Sequence, residues 1–230
     1  MSCDRQDVRL DQCLENLRNM SQSVVIVDYG VGNVFSVFNA LKLVGVDPVL
    51  SSDPLVVSNA DRLILPGVGS FSEVMRNLSS SGLDESIATF INMDRPFLGI
   101  CVGLQVLMTA SNEFGYHKGL GYFNGTVDRI PETSDTGVDV KVPHVGWSRL
   151  KQENFDHDYH ARYGSLDGNY FYFVHSFKCN PDGGENLIAT VDDHPASICA
   201  VLGKGNILGV QFHPERSGPD GLRFLQKFVA

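Results

Sequence analysis

A cysteine flanked symmetrically by glycines constrains this chain more than any other feature: Gly99-Ile100-Cys101-Val102-Gly103, directly after Pro96-Phe97-Leu98. A glycine two positions before and two after a nucleophile is what a tight strand-to-helix elbow requires, because a Cβ at either flank would collide with neighbouring backbone. The elbow sets the side chain on a strained turn. It also aims backbone N–H groups and a helix N-terminus at the sulfur, which favours the reactive thiolate. The ordinary alternative is a buried structural cysteine, and the residues described next weigh against it.

Around the elbow the pattern alternates. Val24-Val25-Ile26-Val27 reads as a strand ending in Asp28-Tyr29-Gly30-Val31-Gly32-Asn33. A helix over 35–44 is closed by Gly45, and a strand follows over 47–50. The run Arg62-Leu63-Ile64-Leu65 breaks at Pro66-Gly67-Val68-Gly69, helical patterns cover 71–78 and 83–91, and a helix begins at Val102. Strands alternating with helices predict βαβ units and a mostly parallel sheet with helices on both faces. From Gly121 the character changes to short strands punctuated by Gly, Pro, Asn and Asp (169–177, 186–191, 197–202 and 207–212), with a closing helix over 222–229. This predicts antiparallel strands added to the parallel core, an α/β fold overall. Residues 1–22 read as an amphipathic helical extension, through Val8, Leu10, Cys13, Leu14, Leu17 and Met20, and 23–230 as one domain.

Composition narrows the function classes. With 43% hydrophobic and 20% charged residues, the 230-residue chain can bury a full core. The net charge of −9 is scattered, and the lack of a Lys/Arg cluster weighs against a nucleic-acid partner. No apolar run approaches the ~20 residues of a membrane span, and Met1–Met20 lacks the apolar core of a secretory signal. Five cysteines (3, 13, 101, 179 and 199) have neither disulfide-like pairing nor metal-ligand spacing, so a reducing cytoplasm is expected, with no metal or cofactor.

A cysteine nucleophile needs a base, and the base an orienter. Gln211-Phe212-His213-Pro214-Glu215 offers both: in an extended segment residues two apart project to one side, so Glu215 can hold the His213 ring. The glycines of Pro66-Gly67-Val68-Gly69 end an apolar strand, where open α/β sheets bind ligands. N–H groups of this loop (Val68, Gly69) and of Val102 would serve as an oxyanion hole. Gln105, one helical turn beyond Cys101, faces the same space, and His175-Ser176-Phe177 supplies another polar edge. The pair His157 and His160, without a third ligand, reads as part of a solvated loop over 152–168.

Together these parts resemble the triad (class I) glutamine amidotransferases, over about residues 24–229. The resemblance is carried by the elbow, the late His-Pro-Glu and the glycine loop, with Pro143-His144-Val145-Gly146-Trp147 and Tyr172-Phe173-Val174-His175-Ser176-Phe177. It implies a flavodoxin-like core and a reaction in which Cys101 attacks the glutamine carboxamide, served by His213 and Glu215. Ammonia leaves, and water hydrolyses the γ-glutamyl thioester. It implies that Gly67, Gly69, Gln105, His175, Ser176 and Phe177 grip glutamine. It further implies a heterodimer with a (β/α)8-barrel cyclase that receives ammonia through an internal channel, with Asn33, His144, Trp147, Tyr172 and Arg216 at the interface or channel mouth. Arg216 stands where relatives usually carry Lys, and Ser148 where they carry Asn. Three other readings stay open on the residues alone: a paralogous amidotransferase feeding another synthase, such as one aminating a nucleotide-linked sugar; a cysteine peptidase-like hydrolase; and a non-catalytic subunit.

Overall fold

A computed structural model describes residues 23–30, 33–153, 159 and 162–230. The predicted helix over 1–22, Val31 and Gly32, and the histidines of the 152–168 loop lie outside the described residues.

The first half runs β1 (Val24–Val27), α1 (Val34–Leu43), β2 (Val49–Ser51), α2 (Pro54–Asn59), β3 (Arg62–Gly67), α3 (Phe71–Ser80), α4 (Leu83–Asn92), β4 (Phe97–Cys101) and α5 (Val102–Gln105). Then come β5 (Met108–Ser111), β6 (His117–Lys118), β7 (Phe123–Arg129), β8 (His144–Gln152), β9 (Tyr170–His175), β10 (Phe177–Pro181), β11 (Leu187–Val191), β12 (Cys199–Lys204) and β13 (Ile207–Val210). A 3-10 turn over Pro214–Arg216 leads into α6 (Gly218–Val229).

Among the described residues nine strands form one sheet in the order β2-β1-β3-β4-β13-β12-β11-β8-β9. The pairs from β2 to β13 are parallel, and those from β13 through β12, β11 and β8 to β9 are antiparallel. Every residue of β1 and β4, and all but Arg62 of β3, is buried, as a sheet covered on both faces demands. Antiparallel strands are added as expected, but β13, expected among them, pairs parallel with β4 and belongs to the parallel core while also pairing antiparallel with β12. A second sheet, in the order β10-β7-β5-β6, is an addition to the sequence expectation. The short helix α2 is also new, although Asp53 caps it by accepting from the Leu55 N–H at 2.8 Å, with Pro54 in the first turn.

Register places the site. β4 lies between β3 and β13, with Gly67 opposite Cys101, Gly99 opposite Gly209 and Ile100 opposite Val210. The carboxyl ends of three adjacent parallel strands therefore open onto one edge. They carry Val68-Gly69, Cys101 and Gln211-Phe212-His213. The backbone behind them is close-packed. Gly67, Gly99 and Gly103 meet so tightly that a Cβ on Gly103 would stand 2.0 Å from the Leu65 carbonyl oxygen. One on Gly99 would stand 2.5 Å from the Gly103 carbonyl oxygen. Phe171 and Phe212 stack with centroids 4.0 Å apart beneath the C-terminal helix, which fixes the segment preceding His213.

Candidate active site

Cys101 sits on the elbow at φ 55° and ψ −109°, left-handed backbone that a side chain rarely adopts. The helix that begins at Val102 is a single turn of four residues. Its contribution to the sulfur's environment is thus made by nearby N–H groups and not by a long macrodipole.

His213 follows β13, and its Nδ1 lies 2.9 Å from Glu215 Oε1. The expected pairing holds, but the extended segment expected between them does not: Pro214–Arg216 is a 3-10 turn. Serine Ser217 stabilises it, its hydroxyl donating to the His213 carbonyl at 2.6 Å and accepting from the Tyr172 N–H at 2.9 Å. Both side chains of the pair are almost wholly buried. The other ring nitrogen, Nε2, is buried with no hydrogen-bond partner among the described residues, and His213 and Cys101 line the same cavity. Burial pulls the His213 pKa down, but Cys101 and Glu215 on either side of the ring outweigh it and raise the value to about 10.

These groups open onto a cavity of about 590 Å³, large enough for an amino acid. Cys101 and His213 line it together with Val68, Gly69, Val102 and Gln105. Gly69 has φ 92°, so the loop after β3 takes a turn that needs glycine. Gly67 does not line the cavity. It is the last residue of β3, and its missing side chain makes room for Val102 and Gly103.

The far wall is the segment His175-Ser176-Phe177, all three of which line the cavity. Gln105 donates through Nε2 to the Phe177 carbonyl at 3.0 Å and to Gln211 Oε1 at 3.1 Å. Both its N–H donors are thus committed to protein, which leaves its carbonyl oxygen as the group available to a ligand. Sequence reasoning passed over two residues here. Glu113 is buried in the lining, with Oε2 accepting from the Phe71 N–H at 2.5 Å at the start of α3. Gln211 donates through Nε2 to Cys101 Sγ at 3.6 Å. Its adjacency to Phe212-His213 was the available signal for Gln211, whereas an isolated Glu between turn residues gave none for Glu113.

The residues assigned to a partner surface separate into two groups. Trp147 is 53% exposed on β8 and packs edge-on to Tyr172 of β9, centroids 6.2 Å apart. Arg216 stacks over the Tyr172 ring at 4.8 Å and, like Asn33, lines the cavity mouth. His144 is buried, with ring nitrogens 3.0 Å from His175 Nε2 and 3.0 Å from Ser148 Oγ, and so reaches the cavity wall through His175. Among the described residues no group of three or more His, Cys, Asp or Glu side chains could hold a metal ion, and no helix is long and apolar enough to cross a membrane.

The family model described as Glutamine amidotransferase class-I matches residues 25–230. The chain is 44% identical over 209 residues to the imidazole glycerol phosphate synthase subunit HisH of Geobacter metallireducens, covering 90% of this chain and 97% of that protein. It is 43% identical over 207 residues to the protein of that name from Geobacter sulfurreducens, covering 89% and 97%. Among solved structures it is similar to PurLQS from Thermotoga maritima, with a TM-score of 0.70 and 21% identity over 91% of this chain and 98% of that one, a likeness of fold.

Proposed function

Since the chain belongs to the class-I glutamine amidotransferase family, we propose that it is the glutaminase subunit of an imidazole glycerol phosphate synthase, serving histidine biosynthesis. It hydrolyses glutamine to glutamate and ammonia within residues 23–230. The observation that carries this reading is the His213–Glu215 contact at 2.9 Å, with His213 and Cys101 lining one cavity.

Cys101 attacks the carboxamide carbon as the thiolate. His213, held by Glu215, carries the proton and delivers it to the leaving nitrogen, and the neutral ring then activates the water that cleaves the thioester. The oxyanion accepts N–H groups of Val102 and of the Val68-Gly69 loop. The Gln105 carbonyl oxygen and the Glu113 carboxylate are acceptors suited to the substrate's ammonium group. Backbone of Gly69 and of Ser176-Phe177 completes the grip.

Ammonia released without a consumer would be lost, and a subunit implies a companion. The partner is a (β/α)8-barrel cyclase bound as a heterodimer over the cavity that Asn33 and Arg216 line, with Tyr172 against Arg216 and Trp147 against Tyr172. Ammonia passes to it internally. The test is steady-state glutaminase activity of the chain alone and with the cyclase and its ligand. Slow turnover alone and a rise of orders of magnitude in the complex support the assignment, whereas full activity alone removes the reason for a channelling partner. With amide-15N glutamine, label in the imidazole product in spite of excess unlabelled ammonia establishes internal passage. Dilution of the label to the bulk ratio rejects it.

A further inference from the structure

Gln211 is wholly buried, follows β13 directly, and is fixed by its backbone N–H donating to the Ala200 carbonyl at 2.9 Å. A buried primary amide is costly unless its polar atoms are partnered, and here they are partnered in a definite direction. The Phe177 carbonyl can only accept, so the Gln105 amide must turn its nitrogen toward it, at 3.0 Å. That same nitrogen reaches Gln211 at 3.1 Å and therefore requires the carbonyl oxygen of Gln211 as acceptor. The Gln211 nitrogen is left facing Cys101 Sγ at 3.6 Å. Which end of the amide meets the sulfur is thus set by a backbone carbonyl two amides away, on the opposite wall of the cavity.

An N–H donor aimed at sulfur interacts more strongly with a thiolate than with a thiol, since hydrogen bonds to an ionised partner are about twice as strong as neutral ones. His213, the proposed base, lines the same cavity as the sulfur. His213 and the Gln211 amide differ in kind. His213 gives up its proton during the reaction, whereas the amide keeps its own and can hold the sulfur's position through both half-reactions.

We propose that Gln211 is a further catalytic residue of this site, its side-chain amide donating to the Cys101 sulfur so as to hold the reactive thiolate in place, with its orientation imposed by the Phe177–Gln105 amide chain. This rests on Cys101 being the nucleophile.

The test uses the full chain with Gln211→Met, which keeps much of the volume and loses the donor, and Gln211→Glu, which keeps an acceptor for Gln105 but sets an oxygen against the sulfur. The readout is the pH dependence of iodoacetamide alkylation at the peptide carrying Cys101, followed by mass spectrometry. Glutaminase kcat and KM are read in the cyclase complex. The alkylation midpoint should move upward by about one pH unit in either folded variant, with kcat reduced about tenfold or more and KM for glutamine changed little. A midpoint equal to the native one in a folded variant overturns the proposal, even if thermal stability drops, because that is the signature of a merely structural role. Cys101→Ala separates the two levels. If it retains glutaminase activity the nucleophile itself is misassigned; if it is inactive while the Gln211 variants titrate as native, only the role of Gln211 falls.

Discussion

His144 Nδ1 lies 3.0 Å from His175 Nε2, and this contact joins the exposed strand pair β8–β9 to the wall of the cavity. The direction of the chain follows from its end. His175 Nδ1 is 2.8 Å from the Phe177 carbonyl, which only accepts, so the proton is on Nδ1 and Nε2 accepts from His144 Nδ1–H. His144 Nε2 then accepts from the Ser148 hydroxyl at 3.0 Å. Ser148 thus supplies the donor that ends the chain. Both rings are neutral: burial, aided by neighbouring histidines, pushes His175 down to about 3 and His144 to about 4.

That pair sets the acid limb of stability. Below the ordinary histidine value of 6.5 the unfolded chain takes up protons that the buried rings refuse, so stability falls as pH drops from 6.5 toward 4 and 3. His213 acts in the opposite sense. Its value is raised to about 10, so its contribution is complete below 6.5 and is lost as pH rises from 6.5 through 10. Urea midpoints measured across this range should peak near neutrality. His144→Phe should flatten the acid limb and Glu215→Gln the alkaline one. Unchanged limbs in both variants would contradict these assignments.

Glu215 fixes the ring that serves Cys101 and compensates its charge. Replacing it by Gln keeps the shape but removes the anion, and the loss expected in kcat is ~10²–10⁴-fold by analogy with other triads. Little change in KM and retained folding by circular dichroism should accompany it. A Glu215→Gln enzyme within a factor of two of native kcat would show that the carboxylate is structural.

Much of this was legible from spacing alone. The parallel core follows from short apolar runs ending at glycines, and the Cys101 elbow from Gly99 and Gly103. The pairing of His213 with Glu215 was legible too, but for a mistaken reason: a 3-10 turn, and not an extended strand, brings them together. What escaped depends on contacts across the sheet. Gln211 and Cys101 are 110 positions apart and meet only because β13 pairs with β4. The burial of His144 depends on packing against Phe173 and His194, which no local pattern reveals. In the second sheet the strand His117–Lys118 is too brief to carry a period.

The glycine contacts behind the elbow give a prediction about stability. Gly103→Ala puts a methyl 2.0 Å from the Leu65 carbonyl oxygen, which lies in a strand that cannot easily yield. A loss of about 1–3 kcal/mol, or outright failure to fold, is expected from overpacking of this kind. Gly146→Ala offers no comparable collision, since nothing lies within 4 Å of its built Cβ, although its φ of 141° adds local strain. Chemical denaturation of the pair should rank Gly103→Ala as clearly the more damaging.

Trp147 is the single tryptophan and stands exposed against Tyr172. Trp147→Ala should leave the melting temperature and basal glutaminase activity close to native while weakening cyclase binding by about tenfold or more, at least 1.4 kcal/mol. Titration calorimetry with the cyclase reads this directly. Undiminished affinity would move the interface away from β8–β9.

The most direct test of the account is ammonia release from glutamine by Cys101→Ala in complex with the cyclase. The account predicts no release above the uncatalysed background, while the same complex still makes imidazole product from ammonia supplied in the buffer. Glutamine-dependent release at the native rate would contradict it.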